Sequence, residues 1–337
     1  MNFKQALLWP LTLPYGTVTR LRARAYEMGL ARSKRLDAPV ISVGNLTVGG
    51  TGKTPMALWI AQRLTDQGKK TGILTRGYRG SSGPDGPTSD EAELMKFRLD
   101  GRAAIGVGPN RYARGRELVA KGVEWIVLDD GFQHVQLARD ANIVLIDATN
   151  PFGGGRLLPA GFMREPKTAL SRADVIVITR SSRAPAVEAA VRRETNVPIY
   201  YARPKLEYLQ YFSGGGSPGQ VDNPRAMKWF AFCGIGNPVA FVSDLHEWGI
   251  KIRGSRFFRD HHRYSQDAID GMAREAAAEG ADALVCTEKD YFNMSAVKEF
   301  PRDIAYCRMS LQIDRSEEFW REIETLVAIS QSKRSKR

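Results

Sequence analysis

Cysteine is scarce in this 337-residue chain: Cys233, Cys286 and Cys307 are the only three, and none stands in a C-x-x-C pair or near a histidine at metal-ligand spacing. A disulfide framework and a structural zinc are therefore excluded, and a reducing compartment is expected. Cys286 follows Ala283-Leu284-Val285 and Cys307 follows Ala305-Tyr306, so both read as small apolar residues in strands. No apolar run is long enough to span a bilayer. The stretch over residues 6–18 falls short of the ~20 residues required and is broken by Pro10 and Pro14. No A-x-A-like site follows it and the basic residues lie mainly after it, which argues against a signal peptide. Internal repeats are missing too. Acidic residues are in deficit, 37 against 49 basic, giving a net charge of +12. An anionic partner is expected, and nucleic acid, anionic lipid and phosphorylated substrates all meet that description.

What is present fits a folded protein: 43% hydrophobic and 26% charged residues exclude disorder, and the length suggests two domains. Residues 1–36 hold seven basic residues (Lys4, Arg20, Arg22, Arg24, Arg32, Lys34, Arg35) against one acidic residue, Glu27. Half of the net charge thus sits beside an apolar, Trp9-bearing element. Such a segment reads as a helix lying in an anionic membrane interface or as a capping helix packed on its domain.

Beyond it, short β-branched runs alternate with helical periods. Strands are expected at 38–43, 71–75, 103–107, 125–128, 143–146 and 175–179, with helices at 54–66, 90–99 and 111–121. That alternation implies an α/β fold, a parallel sheet with helices on both faces. A smaller α/β domain is expected over 223–330, with strands at 227–232, 283–287 and 305–309 and helices at 239–248, 266–279 and 317–329. Between the two, Ser213-Gly214-Gly215-Gly216-Ser217-Pro218-Gly219 marks a linker over 205–222, so the first domain spans 37–204 and a basic tail occupies 331–337.

The most informative stretch is Val40-Ile41-Ser42-Val43-Gly44-Asn45-Leu46-Thr47-Val48-Gly49-Gly50-Thr51-Gly52-Lys53-Thr54-Pro55. A buried strand enters a glycine-rich turn and then a helix, so backbone N–H groups and a helix N-terminus converge on one concave, phosphate-binding site. Gly49, Gly50, Thr51, Gly52, Lys53 and Thr54 form this P-loop, with Lys53 on the β/γ-phosphates and the Thr54 hydroxyl on Mg²⁺. The usual first glycine is absent, Thr47 standing in its place. A second metal-side carboxylate follows the run Trp125-Ile126-Val127-Leu128, where Asp129 and Asp130 are the expected ligands of Mg²⁺ and its water. Gln133 and His134 continue the polar cluster at the same sheet edge.

These stretches together resemble one family, the tetraacyldisaccharide 4′-kinases that phosphorylate the lipid A precursor. The resemblance takes in the loop above, Thr75-Arg76-Gly77-Tyr78, Ser89-Asp90-Glu91 and Leu128-Asp129-Asp130-Gly131-Phe132-Gln133-His134. It continues through Pro151-Phe152-Gly153-Gly154-Gly155-Arg156-Leu157-Leu158-Pro159-Ala160-Gly161, Arg164-Glu165-Pro166, Gly234-Ile235-Gly236-Asn237-Pro238, Asp260-His261-His262 and Thr287-Glu288-Lys289-Asp290. Gly154 and Ala92 depart from the family's usual residues, whereas Thr47 is shared with it.

The resemblance implies transfer of the γ-phosphoryl group of ATP to the 4′-hydroxyl of a tetraacylated glucosamine disaccharide 1-phosphate, with Mg²⁺ as cofactor, at the cytoplasmic face of the inner membrane. It implies an Asp–His pair, Asp90 and His261, as the base for the sugar hydroxyl, and an acceptor site that closes between the domains. Read without the family, Asp90 would be a helix N-cap and His261 a surface histidine. Arg76, Tyr78, Gln133, His134, Arg164 and Glu165 are candidates for binding phosphate or sugar, with Arg79 and Arg156 beside them. A four-chain lipid acceptor favours the membrane reading of the N-terminal helix. Two rivals fit less well. A regulatory P-loop ATPase of the partitioning type would carry a signature lysine where Val48 stands, and a nucleic-acid binder would show a recognition-helix or zinc pattern, which is missing here.

Overall fold

The computed structural model describes residues 8–77, 81–83, 86–213 and 219–335. The chain forms two compact units, Met1–Arg203 with Leu311–Arg337, and Pro204–Ser310.

In the first unit a short turn leads into helix α1 (Thr12–Glu27), and then strand β1 (Val40–Asn45), helix α2 (Lys53–Asp66) and strand β2 (Thr71–Thr75). A two-stranded hairpin, β3 (Ser81–Gly83) and β4 (Gly86–Thr88), precedes α3 (Asp90–Leu99), β5 (Ala103–Val107), α4 (Arg111–Ala120), β6 (Trp125–Leu128) and β7 (Ala141–Asp147). Strand β8 (Val175–Thr179), α5 (Pro185–Arg192) and the first residues of β9 (Ile199–Ser213) complete the series. Within this unit the strand order is β9-β8-β7-β1-β6-β2-β5. Neighbouring strands in this series pair in parallel, with Val43 opposite Ile143 and Leu74 opposite Leu128. Strands covered on both faces read as unbroken apolar runs, and β8 is buried at every position. Helix α2 supplies Met56, Ala57, Ile60, Ala61 and Leu64 to the same core, at helical spacing. Because β1 lies between β6 and β7, the loops after β1 and β6 leave neighbouring strands at one sheet edge, where open α/β sheets bind ligands.

Two boundaries differ from the sequence expectation. Residues 205–213 form the second part of β9, where exposed Lys205 and Glu207 alternate with the less exposed Leu206 and Tyr208, and Gly219 and Val221 pair back onto it through Tyr211 N–Gly219 O (2.9 Å) and Val221 N–Leu209 O (2.8 Å). The domain expected over 223–330 ends earlier. The last helix (Ser316–Ser335) belongs to the first unit, where Phe319, Trp320, Ile323 and Val327 join the core cluster of Ile41 and Leu64. Phe319 and Trp320 lie 5.6 and 6.1 Å from Trp59, and the buried Asp140 accepts hydrogen bonds from Val40 N (2.8 Å), Arg35, Ser330 and Arg334.

The second unit orders its strands β11-β10-β12-β13, where β10 is Lys228–Cys233, β11 Lys251–Phe257, β12 Ala283–Thr287 and β13 Ile304–Ile313. These neighbours again pair in parallel. Helices α6 (Pro238–Glu247), α7 (Gln266–Ala278) and α8 (Glu288–Phe292) connect them, and the last helix of the chain is α9. Cys233, Cys286 and Cys307 lie buried in β10, β12 and β13. The sequence reading missed β11, a Lys/Arg-bearing edge strand whose exposed and half-buried residues alternate.

Candidate active site

The loop after β1 owes its shape to two glycines and to a neighbouring segment. Gly49 and Gly52 have φ of +114° and +89°, values that strain a residue with a side chain. Val48 N donates to Phe162 O at 2.8 Å and Arg164 N donates to Leu46 O at 2.7 Å, which fastens the outer side of the loop. A Cβ at Gly49 or Gly50 would meet nothing within 4 Å, so the concave side stands open. Gly52 caps α2, and Lys53 and Thr54 are that helix's first two residues, with free backbone N–H groups facing the opening. Thr51 Oγ1 is buried without a hydrogen-bond partner.

The loop after β6 reaches the same place. Gly44 makes this possible, because a Cβ there would lie 2.5 Å from Phe132 N and Cβ. Asp129 is 2% exposed. Its Oδ2 accepts from Thr75 Oγ1 at 3.4 Å, while Oδ1 is buried with no partner. Burial pushes this carboxyl up to about 7, helped by the Glu91 and Asp130 charges and opposed by Lys53. Asp130 is its opposite. Arg164 Nη1 sits 2.8 Å from both of its oxygens and Lys53 Nζ 3.7 Å from Oδ1. Burial alone would raise Asp130, yet Lys53, Arg164 and Arg111 outweigh it and hold the carboxyl below the ordinary range. One aspartate is thus neutralised by cations of the protein, and its neighbour keeps a buried oxygen without a hydrogen-bond partner.

Gln133 links the two loops: its Nε2 donates to Asn45 O at 2.9 Å and its Oε1 accepts from Arg164 at 3.3 Å. His134 Nδ1 lies 3.5 Å from Arg111 Nη1. Burial, then Arg111, Arg139, Arg22 and Arg76, push the imidazole down to about 4, so it is neutral at pH 7. The charges of Arg22 from α1, Arg76 after β2 and Arg111 are thus all felt at His134. Arg111 was not singled out from sequence. It is 7% exposed at the first position of α4, where Asn110 provides the cap, and its Nε has no partner. A guanidinium buried at the positive end of a helix is unfavourable unless an anion joins it. The usable signal was Asn110-Arg111 opening a helix at the same sheet edge.

Asp90 is half-buried at the start of α3, but Ser89 is the cap, accepting from Ala92 N at 3.2 Å, and Asp90 Oδ1 accepts from Glu91 N at 3.0 Å. Glu165 is spent elsewhere, on Arg172 at 2.5 Å, with its side chain 7% exposed. Tyr78 lies outside the described residues. His261 belongs to the second unit, where it has φ of +62° and its N–H donates to Gly234 O at 3.1 Å.

A glycine-rich loop, a lysine and threonine at a helix N-terminus, and a buried carboxyl are the groups from which nucleotide-phosphate sites are built. Comparison with known proteins agrees. The family model for tetraacyldisaccharide-1-P 4′-kinase matches residues 4–328. Curated tetraacyldisaccharide 4′-kinases from Geobacter metallireducens and Desulfotalea psychrophila are 39% and 36% identical, covering 87% and 92% of this chain and 89% and 94% of their own. A crystal structure of LpxK from Aquifex aeolicus in complex with ATP superposes with a TM-score of 0.72 at 27% identity, covering 96% of this chain and 100% of that one. The chain belongs to the tetraacyldisaccharide-1-P 4′-kinase family.

Proposed function

We propose that the chain transfers the γ-phosphoryl group of ATP to the 4′-hydroxyl of a tetraacylated glucosamine disaccharide 1-phosphate. The observation that carries this reading is the pairing of an open P-loop with Asp129, whose buried Oδ1 lacks a partner while Lys53 is held against the adjacent Asp130. In the reaction the acceptor oxygen bonds to Pγ, the bond from Pγ to the β-phosphate oxygen breaks, and ADP leaves. The orphaned, acidic donor set fits Mg²⁺, which Asp129 and Thr54 would hold and which, when bound, neutralises phosphate charge. Among the described residues no group of three or more His, Cys, Asp or Glu side chains could hold a metal alone, so the nucleotide would have to complete the coordination.

The chain's own residues supply the rest. Lys53 and the α2 N-terminus bind the transferred phosphate, and a loose transition state needs mainly such charge placement. Asp130 and Arg164 brace Lys53 and Gln133 in position. The cations around His134, with Arg111 3.5 Å from the ring and Arg76 acting on it through its charge, suit an anionic, sugar-bearing acceptor. Asp90 receives the hydroxyl proton, and the partner role for His261 rests on the family resemblance alone. Glu165 is held by its ion pair with Arg172 at 2.5 Å.

A membrane-bound acceptor also accounts for α1. Thr12 and Gly16 pack inward, Tyr15 Oη donates to Arg164 O at 3.1 Å, and Leu13, Val18, Leu21 and Met28 remain 62–66% exposed among Arg20, Arg22 and Arg24. No helix among the described residues is long and apolar enough to cross a membrane. On this reading the helix lies on the cytoplasmic face of the inner membrane, its arginines among lipid phosphates. The test is incubation with γ-labelled ATP, Mg²⁺ and lipid A disaccharide monophosphate in detergent. Label should move to the lipid; label released only as inorganic phosphate would refute the kinase reading.

A further inference from the structure

The hydrogen bond from Tyr15 Oη to Arg164 O, 3.1 Å long, is the one among the described residues that joins α1 to the body of its unit. The other hydroxyls of the helix are used locally: Thr12, Thr17 and Thr19 donate to Trp9 O, Leu13 O and Gly16 O. One turn on from Thr12, Gly16 makes a close approach, since a Cβ there would lie 2.7 Å from Leu157 Cδ1. Beside that contact a cleft of about 260 Å³ opens between α1 and residues 155–157, with Leu13, Arg20 and Arg156 on its walls. The Tyr15 bond and the Gly16 contact therefore both land on residues 156–164, while Leu13, Val18, Leu21 and Met28 stay exposed.

The same segment is the outer wall of the phosphate loop. Leu158 N donates to Met163 O and Met163 N to Arg156 O, each at 2.9 Å, so the segment folds back on itself. Thr47 bridges to Met163, and Val48 N donates to Phe162 O at 2.8 Å. Arg164 makes the most of these links. Its N–H donates to Leu46 O at 2.7 Å, and its Nη1 lies 2.8 Å from both Asp130 oxygens and 3.3 Å from Gln133 Oε1. One residue thus receives the helix on its carbonyl and holds the loop with its amide and guanidinium. We propose that Tyr15 is a positioning residue that links the seat of α1 on an anionic membrane surface to the affinity of the phosphate loop for ATP. This deepens, and rests on, the reading of α1 as a membrane-surface helix. A surface that takes up the exposed apolar residues and the arginines fixes α1 from the side the protein leaves uncovered. The Tyr15 bond passes that restraint to Arg164, and residues 162–164 ordered beforehand need not be ordered when ATP binds. By linkage, ATP must tighten the hold on the surface by the same factor.

The test measures binding of ATP with Mg²⁺ to the full chain by displacement of a fluorescent nucleotide, with no acceptor lipid present. It is run without vesicles, with phosphatidylglycerol-containing vesicles and with vesicles of phosphatidylcholine only. Phosphatidylglycerol vesicles should tighten ATP binding about fivefold or more, and saturating ATP should tighten vesicle binding in sedimentation by the same factor. Phosphatidylcholine vesicles should do neither. Tyr15→Phe keeps the ring and drops the hydroxyl. It should melt near the wild type and, without ATP, sediment with anionic vesicles as the wild type does, yet show no linkage in either direction. A wild-type ATP affinity indifferent to vesicles with which the chain sediments would overturn the proposal while leaving the membrane reading of α1 intact. A Tyr15→Phe chain with the full linkage would do the same. A chain that never sediments with anionic vesicles would overturn the proposal and the membrane reading together, and one that binds no ATP would overturn it along with the kinase reading.

Discussion

Asp129→Asn should make the metal-free protein more stable at alkaline pH while destroying its activity. The carboxyl is raised to about 7 by burial and by its acidic neighbours. An unfolded aspartate titrates near ~3.9, and each pH unit of difference corresponds to ~1.36 kcal/mol, so the ionised side chain costs the native state about 4 kcal/mol above pH 7. The sign follows from proton counting. Between the unfolded and folded pKa the native state binds more protons than the unfolded chain, so stability falls as pH rises through that window and the penalty is complete above it. Asparagine removes the charge but buries an amide with unmet hydrogen bonds, costing ~1–3 kcal/mol. The net gain at pH 8 is therefore about 1–3 kcal/mol. At pH 5 the carboxylate penalty shrinks to ~1.5 kcal/mol, and the advantage should vanish or reverse. Thermal or urea melts of both proteins from pH 5 to 8 with chelator present would show this, and adding Mg²⁺ with ATP should stabilise the wild type far more than the variant. Parallel pH profiles for the two proteins, or a variant that still turns over, would refute the account of Asp129 as a buried ligand awaiting its cation.

Lys53→Ala should lower kcat by ~10²–10³ while melting temperature stays close to that of the wild type, since its ion pair to Asp130 is long at 3.7 Å; near-normal turnover would remove the lysine from the chemistry. Gly44→Ala should cost ~1–3 kcal/mol or more in denaturant titrations, because the new Cβ would meet Phe132 at 2.5 Å, and should slow turnover by displacing the loop that bears Asp129. Leu13→Glu with Leu21→Glu should release the protein from anionic vesicles in a sedimentation assay with little change in melting temperature, as both residues are over 60% exposed; unchanged vesicle binding would return α1 to a purely structural role.

Much of the fold follows from local pattern. Unbroken apolar runs such as Val175–Thr179 can be satisfied only as strands covered on both faces, and the structure has that strand with the expected limits. The glycine-rich turn before Lys53 was readable for the same local reason, since a strand, a loop with positive φ and a helix N-terminus occupy consecutive residues. Edge strand β11 was not readable, because exposed Lys251, Arg253 and Ser255 erase its apolar signal. Nor was the destination of α9: its apolar stripe shows that it packs, but not against which core, and it returns to the first unit across more than a hundred residues.

The site divides in the same way. In the sequence, residue type and spacing marked the P-loop and the Asp129-Asp130 pair, and the family came from the resemblance of the ordered motifs to known kinases. Only the tertiary structure separated the two aspartates, because their difference arises from partners far away in sequence: Arg164 neutralises Asp130, whereas burial beside Glu91 leaves Asp129 wanting a cation. It also paired Glu165 with Arg172, and it brought in Arg111, which no local pattern marked. A motif records which groups are available; burial and long-range neighbours decide which of them remains charged, paired or free to act.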